Sequence, residues 1–118
     1  MSIEQKIFNL LSPIFEKRVY ANIAPQAEIQ NNLQPFAVYT VVTETPLGVN
    51  GCGDFVTSGT VQIDIYVSSN NFNVIKKRIE FYNLVFDEMR KGGFRFNSNR
   101  TSFDNDLRLY RSSSDWNY

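Results

Sequence analysis

Residues 61–67 read Val-Gln-Ile-Asp-Ile-Tyr-Val. Apolar and polar residues alternate through the run, and successive side chains of a strand point to opposite faces. The run therefore sets Val61, Ile63, Ile65 and Val67 on one face of a sheet and Gln62, Asp64 and Tyr66 on the other. A helix would scatter both sets around its axis. The chain must build a sheet with one buried and one polar face, and other segments must cover the buried one.

Residues 70–91 supply that cover. Phe72, Ile75, Ile79, Tyr82, Phe86 and Met89 step by three and four, and Val74, Leu84 and Val85 widen the stripe. This is the spacing of an amphipathic helix laid on a sheet. Asn70 or Asn71 can cap its start, Gly92 and Gly93 stop it, and Arg90 and Lys91 suit the C-terminal end of its dipole. A second helix is expected within 2–17. Ser2 with Gln5 fits a capping box, and Ile3, Ile7, Leu10, Leu11, Ile14 and Phe15 form one apolar face. Pro13 lacks an amide proton and should end that helix near Leu11 or Ser12.

Residues 36–44 and 56–68 are expected as two long strands, most simply an antiparallel hairpin, with Gly59 at a bulge. The glycine-rich stretch 45–55 between them reads as a loop or hairpin tip. Residues 18–24 make a short strand in which Val19, Ala21 and Ile23 alternate with polar neighbours, and Pro25 ends it. Residues 94–97 and 106–112 are shorter strands joined by a polar turn, followed by a polar tail that ends near Trp116. The expected fold is a single α+β domain over residues 1–118: an antiparallel β-sheet with an N-terminal helix and one long helix packed on one face.

A chain of 118 residues builds a core without disulfide or metal staples. Twelve Lys and Arg balance twelve Asp and Glu. Zero net charge argues against a dedicated DNA binder or an electrostatic membrane binder, and leaves little repulsion between copies. There is no apolar run long enough for a membrane helix. Met-Ser-Ile-Glu-Gln lacks the basic and apolar regions of a signal peptide, so synthesis and initial use in the cytoplasm are expected.

The lone cysteine, Cys52, lies between Gly51 and Gly53, with Asp54 next. A thiolate nucleophile needs a base or cation beside it. The chain has no histidine, no basic residue is near in sequence, and Asp54 opposes ionisation. One cysteine forms no internal disulfide, and a metal would need several clustered ligands. Gly48, Gly51 and Gly53 do not fit a dinucleotide fingerprint, and no serine sits in a nucleophile elbow. Asp64 and Glu44 would need burial to act as an acid–base pair, and alternation is expected to leave them exposed. Lys76, Lys77 and Arg78 read as the solvated flank of the long helix. Arg90, Lys91, Arg95, Arg100, Arg108 and Arg111 interleave with Phe94, Phe96 and Tyr110. That mixture suits single-stranded nucleic acid, but it is equally what protein interfaces select, and the neutral total favours the interface. The residues thus point to an interaction module with no catalytic residues, no cofactor and no metal.

Residues 19–42 and 57–89 carry a set of short motifs in a fixed order. They are Val19-Tyr20, Ala24-Pro25-Gln26, Pro35-Phe36-Ala37-Val38-Tyr39 and Val61-Gln62-Ile63-Asp64-Ile65-Tyr66, the last leading into a helix. In order, spacing and chain length this resembles the tail-completion (tail-terminator) proteins of long-tailed phages. The resemblance spans most of the chain, and residues 93–118 carry no part of it. It implies a non-catalytic virion protein, made in the host cytoplasm, that forms a hexameric ring on the head-proximal end of the tail tube. Such a ring ends tube polymerisation and joins the tail to the neck. The implied partners are further copies of the chain, the tail tube protein and a neck or head-closure protein. DNA passes through the lumen without specific binding, and no membrane is involved.

A closed ring needs two different contact faces on each subunit. Candidate interface residues are Tyr39, Gln62 and Tyr66 on strand faces. Gly48, Asn50, Cys52, Asp54 and Phe55 in the glycine-rich loop, and Arg108 and Tyr110 near the C-terminus, complete the set. On this reading Cys52 belongs to a docking loop, and Cys52→Ser should leave assembly intact. Three alternatives remain: a head-closure or neck adaptor protein, a cellular nucleic-acid-binding module using the arginines and aromatics of the C-terminal part, and a small enzyme with a carboxylate pair that includes Asp64.

Overall fold

The computed structural model describes residues 2–25, 34–49, 55–69 and 73–118, with the backbone alone at 43–49 and 55–58. In chain order the elements are α1 (Ile3–Leu11), β1 (Val19–Ala21), β2 (Phe36–Val49), β3 (Phe55–Ser68), α2 (Val74–Lys91), β4 (Arg95–Asp104) and β5 (Leu109–Asn117). The α+β class is as expected. The five strands form one sheet in the order β1-β2-β3-β5-β4. Three neighbouring pairs are antiparallel, but β1 runs parallel to β2, with Val19 opposite Ala37. The sheet is therefore mixed. The long connection from β1 to β2 brings the chain back to pair in the same direction, which a tight hairpin cannot do.

α1 starts where the capping residue predicts, with the Ser2 hydroxyl accepting from the Gln5 amide at 3.1 Å. It ends before Pro13, at the Ser12 cap. The turn that follows still drives Phe15 into the core, its ring 5.2 Å from Phe81. α2 begins after Asn73 rather than at the expected Asn70 or Asn71, which lie outside the described residues. At its other end Gly93 adopts φ 89, and the Phe94 amide donates to the Met89 carbonyl at 3.0 Å. That left-handed residue and back-bonded amide are a glycine stop.

α1 and α2 pack on the face formed by Val61, Ile63, Ile65 and Val67, all buried as the alternation predicts. α2 is turned relative to the expected stripe. Its buried line is Phe81, Val85 and Met89, while Ile75 and Ile79 are 69% and 59% exposed. The apolar arc of α2 is wider than the strip of sheet beneath it, so only the line centred on that strip is fully covered.

Three loop assignments change. Thr45–Val49 is not loop: β2 continues to Val49, where it pairs with Phe55. Register shifts between Val41 and Thr43 and between Pro46 and Gly48 leave Val42 and Leu47 as the extra residues on β2. Proline and glycine are tolerated in a strand at such bulges. Gly59 is not the bulged residue; it pairs in register with Glu44 and exchanges backbone hydrogen bonds with Tyr118. Residues 98–104 are strand β4 rather than turn, and the polar tail is strand β5, inserted between β3 and β4. Trp116 on β5 is fully buried against Phe86 and Phe96, with ring centroids 5.3 and 5.4 Å away. Beyond the Gly59–Tyr118 pair β5 ends, and β2 and β3 continue together as a two-stranded arm. The molecule is accordingly elongated, 52 × 24 × 23 Å.

Candidate interaction surface

The sheet face opposite α1 and α2 is ordered in cross-strand rows. Tyr66 pairs with Phe36 and Arg111, and Arg111 with Ser102. Asp64 pairs with Val38 and Ser113, and Ser113 with Arg100. Gln62 pairs with Thr40 and Asp115, and Asp115 with Ser98. Residues directly opposite each other in an antiparallel pair share a face, so the period of two decides which side chains meet.

A continuous polar network follows. The Ser113 hydroxyl donates to Asp64 Oδ1, and Gln62 Nε2 donates to both Asp64 oxygens at 3.0 and 3.1 Å. Arg111 Nε donates to Ser113 Oγ at 3.0 Å and lies 3.7 Å from Asp64 Oδ1. On the other side Arg100 Nη2 donates to Gln62 Oε1 at 3.3 Å, and its Nη1 pairs with Asp115 Oδ2 at 3.1 Å. Ser98 Oγ donates to that same Asp115 oxygen. Two arginines and two aspartates thus balance within one plate. Asp64 is only 6% exposed, which corrects its expected exposure. Alternation puts it on the face opposite α1 and α2, but its neighbours on β3 and β5 cover it. A buried carboxylate is tolerated only when charge and hydrogen bonds compensate it, and Arg111, Ser113 and Gln62 do so.

An aromatic step flanks the plate. Phe36 stacks on Tyr66 at 5.0 Å and 12°, and Tyr20 meets Phe36 edge-on. Burial raises the Tyr66 hydroxyl above the ordinary tyrosine pKa of 10.0; the Asp64 charge adds to the rise and the Arg111 charge opposes it.

The sequence-predicted residues separate. Gln62 and Tyr66 share the plate. Tyr39 does not, because it pairs with Ile63 on the helix-covered face and is 8% exposed. Its hydroxyl pKa is raised by burial and secondarily by the Glu4 charge. Tyr110 also lies on the helix side, beneath the Arg78 guanidinium at 4.5 Å from the ring centroid. Arg108 is exposed in the β4–β5 turn with φ 57. That turn is pinned by Asp104 Oδ1, which accepts from the amides of Asp106 and Leu107. Gly48 and Phe55 are strand residues of the arm, pairing with Val56 and Val49. Asn50, Cys52 and Asp54 lie outside the described residues.

Arg100, Arg111, Ser113 and Asp115 complete the plate without having been singled out together by the sequence. The signal that finds them is register: once β5 lies between β3 and β4, the period of two selects them. Among the described residues no group of three or more His, Cys, Asp or Glu is placed to hold a metal ion. No described helix is long and apolar enough to cross a membrane. No protein-family model matches the chain, and no curated protein matches it.

Proposed function

We propose that this chain is a structural subunit of a phage tail. It forms a hexameric ring on the head-proximal end of the tail tube, ends tube growth and joins the tail to the neck, with DNA passing through the lumen. It works without catalysis, cofactor or membrane. The observation that carries this reading is the ordered motif set at Val19-Tyr20, Phe36–Tyr39 and Val61–Tyr66. These motifs fall on three neighbouring strands of one sheet, with Tyr20 opposite Val38 and Val38 opposite Asp64. The charge-balanced plate supports it, since fixed donors and acceptors on a flat face suit a protein neighbour better than a reaction.

The test is tube length. The matching tail-tube protein is polymerised with and without this chain, and the products are imaged by electron microscopy. Capped ends and shortened tubes are expected. Tubes that grow unchanged, with no added density at their ends, refute termination. Binding to the neck proteins would then favour a head-closure or adaptor role.

A further inference from the structure

The order β1-β2-β3-β5-β4 leaves β1 at one edge of the sheet and β4 at the other. β1 is three residues long, whereas β4 runs for ten. An edge strand carries a row of unpaired amides and carbonyls, and sheets blunt such rows with short strands, prolines, lysines or bulges. β4 has one bulge, between Phe96 and Ser98. From Ser98 to Asp104 it pairs in unbroken register with β5 and contains neither proline nor lysine. Among the described residues no strand pairs with its outer side.

The helix side of this edge is open. At Phe86, α2 closes on Phe96 and Trp116. Towards Ile75 it stands off from the sheet and leaves a groove of about 320 Å³, floored by Asn99 and Thr101 of β4 and Ser112 of β5. Ile75 and Ile79 wall the groove and are the most exposed aliphatic residues of α2. Arg78 lines it too, with its guanidinium resting on Tyr110. Among the described residues Arg78 makes no ion pair, and its Nε is buried with no hydrogen-bond partner. Lys76 and Lys77 precede it, and no acidic residue is among those lining the groove.

We propose that β4 takes an extended segment of another protein as a sixth strand, one that turns a glutamate and apolar side chains toward α2. Each part of this chemistry answers a feature of the site. The β4 backbone supplies main-chain hydrogen bonds, as in other strand-addition complexes. Alternate residues of the added strand face the helix side, where Ile75 and Ile79 offer apolar cover. The unpaired Arg78 calls for a carboxylate. Strands lie about 4.8 Å apart, so that carboxylate must reach across β4, which suits glutamate better than aspartate. The charge pair fixes the register of the segment, as charges at interfaces do. The proposal does not rest on the tail reading above.

The test is an NMR titration of the isotope-labelled full chain with the acetylated, amidated heptapeptide Thr-Val-Thr-Glu-Thr-Val-Thr. Saturable amide shifts are expected along β4 and the first two turns of α2. Exchanging the peptide's glutamate for glutamine should weaken binding by about tenfold or more, and the two peptides should bind Arg78→Gln alike. Should that variant misfold by circular dichroism, the two peptides on the wild-type chain still decide the point. N-methylation of alternate peptide amides should abolish binding in one phase and spare it in the other, because only every second amide faces β4. Replacing Ile75 and Ile79 together by serine, both at exposed positions, should weaken binding with the fold intact. Absence of saturable shifts at about 1 mM peptide overturns the proposal, as does equal binding of the glutamate and glutamine peptides to the wild-type chain. Equal effects of the two methylation phases overturn strand addition. Shifts at β4 that follow the concentration of the chain alone assign the edge to a second copy. Oligothymidylate that binds the same amides more tightly than the peptide assigns the groove to nucleic acid. Either result overturns the peptide as occupant. Tube capping is scored separately and stands or falls without this site.

Discussion

Trp116→Ala is expected to destabilise the protein severely, although the residue stands third from the end of the chain. Trp116 is fully buried, its ring meets Phe86 and Phe96, and its Nε1 donates to Ser114 Oγ at 2.9 Å. Truncating a buried aromatic residue to alanine removes about 3–5 kcal/mol through lost transfer energy and the cavity left behind. The two aromatic contacts account for about 0.5–1.5 kcal/mol each beyond area burial, and the lost indole hydrogen bond for about 1 kcal/mol. Against a domain stability of roughly 5–15 kcal/mol, the substitution should remove about a fifth of the total or more. Trp116→Phe keeps most of the packing and loses the hydrogen bond, so a loss of about 1–2 kcal/mol is expected. Equilibrium urea unfolding followed by circular dichroism measures both. Because Trp116 is the only tryptophan, wild-type fluorescence reports its environment directly. If Trp116→Ala lies within about 1 kcal/mol of wild type, or native emission matches that of water-exposed indole, β5 does not lie between β3 and β4 as described.

Three further outcomes are expected. Asp64→Ala leaves Ser113, Gln62 and Arg111 without their shared acceptor and should lower stability by about 2–4 kcal/mol, with Asp64→Asn losing less; equal urea midpoints for Asp64→Ala and wild type would contradict the network. The Tyr39 and Tyr66 hydroxyls titrate above 10.0 in the folded state, through burial first and then the nearby Glu4 and Asp64 charges. The unfolded chain therefore loses those protons first, and stability present below pH 10 should fall as pH rises from there through the folded values. Replacing both by phenylalanine should flatten that alkaline slope, and an unchanged slope would remove both tyrosines as its source. Gly93→Ala places a side chain at φ 89 and should lower stability by about 1 kcal/mol, read as a shift in thermal midpoint; no shift would show that the α2 stop does not depend on that backbone geometry.

Sequence by itself determined the elements whose pattern is local. The alternation at 61–67 fixed both faces of β3, because a strand side chain has only two directions to point. Ser2 and Pro13 bounded α1, because caps and missing amide protons act within one turn. The pair Gln62 and Tyr66 was legible as part of a surface for the same reason. Tyr39 was not separable from them, since it lies on another strand and its face depends on pairing register. Tertiary structure alone decided the rest. Residues 109–117 are rich in serine and have weak strand preference, yet they form an interior strand because β3 and β4 both offer unpaired backbone to them. That insertion buries Trp116, brings Ser113 and Arg111 to Asp64, and sets Arg100 beside Gln62. Long-range pairing also rotated α2, leaving Ile75 and Ile79 exposed, because a helix with a wide apolar arc takes its final orientation from the shape of the sheet it covers.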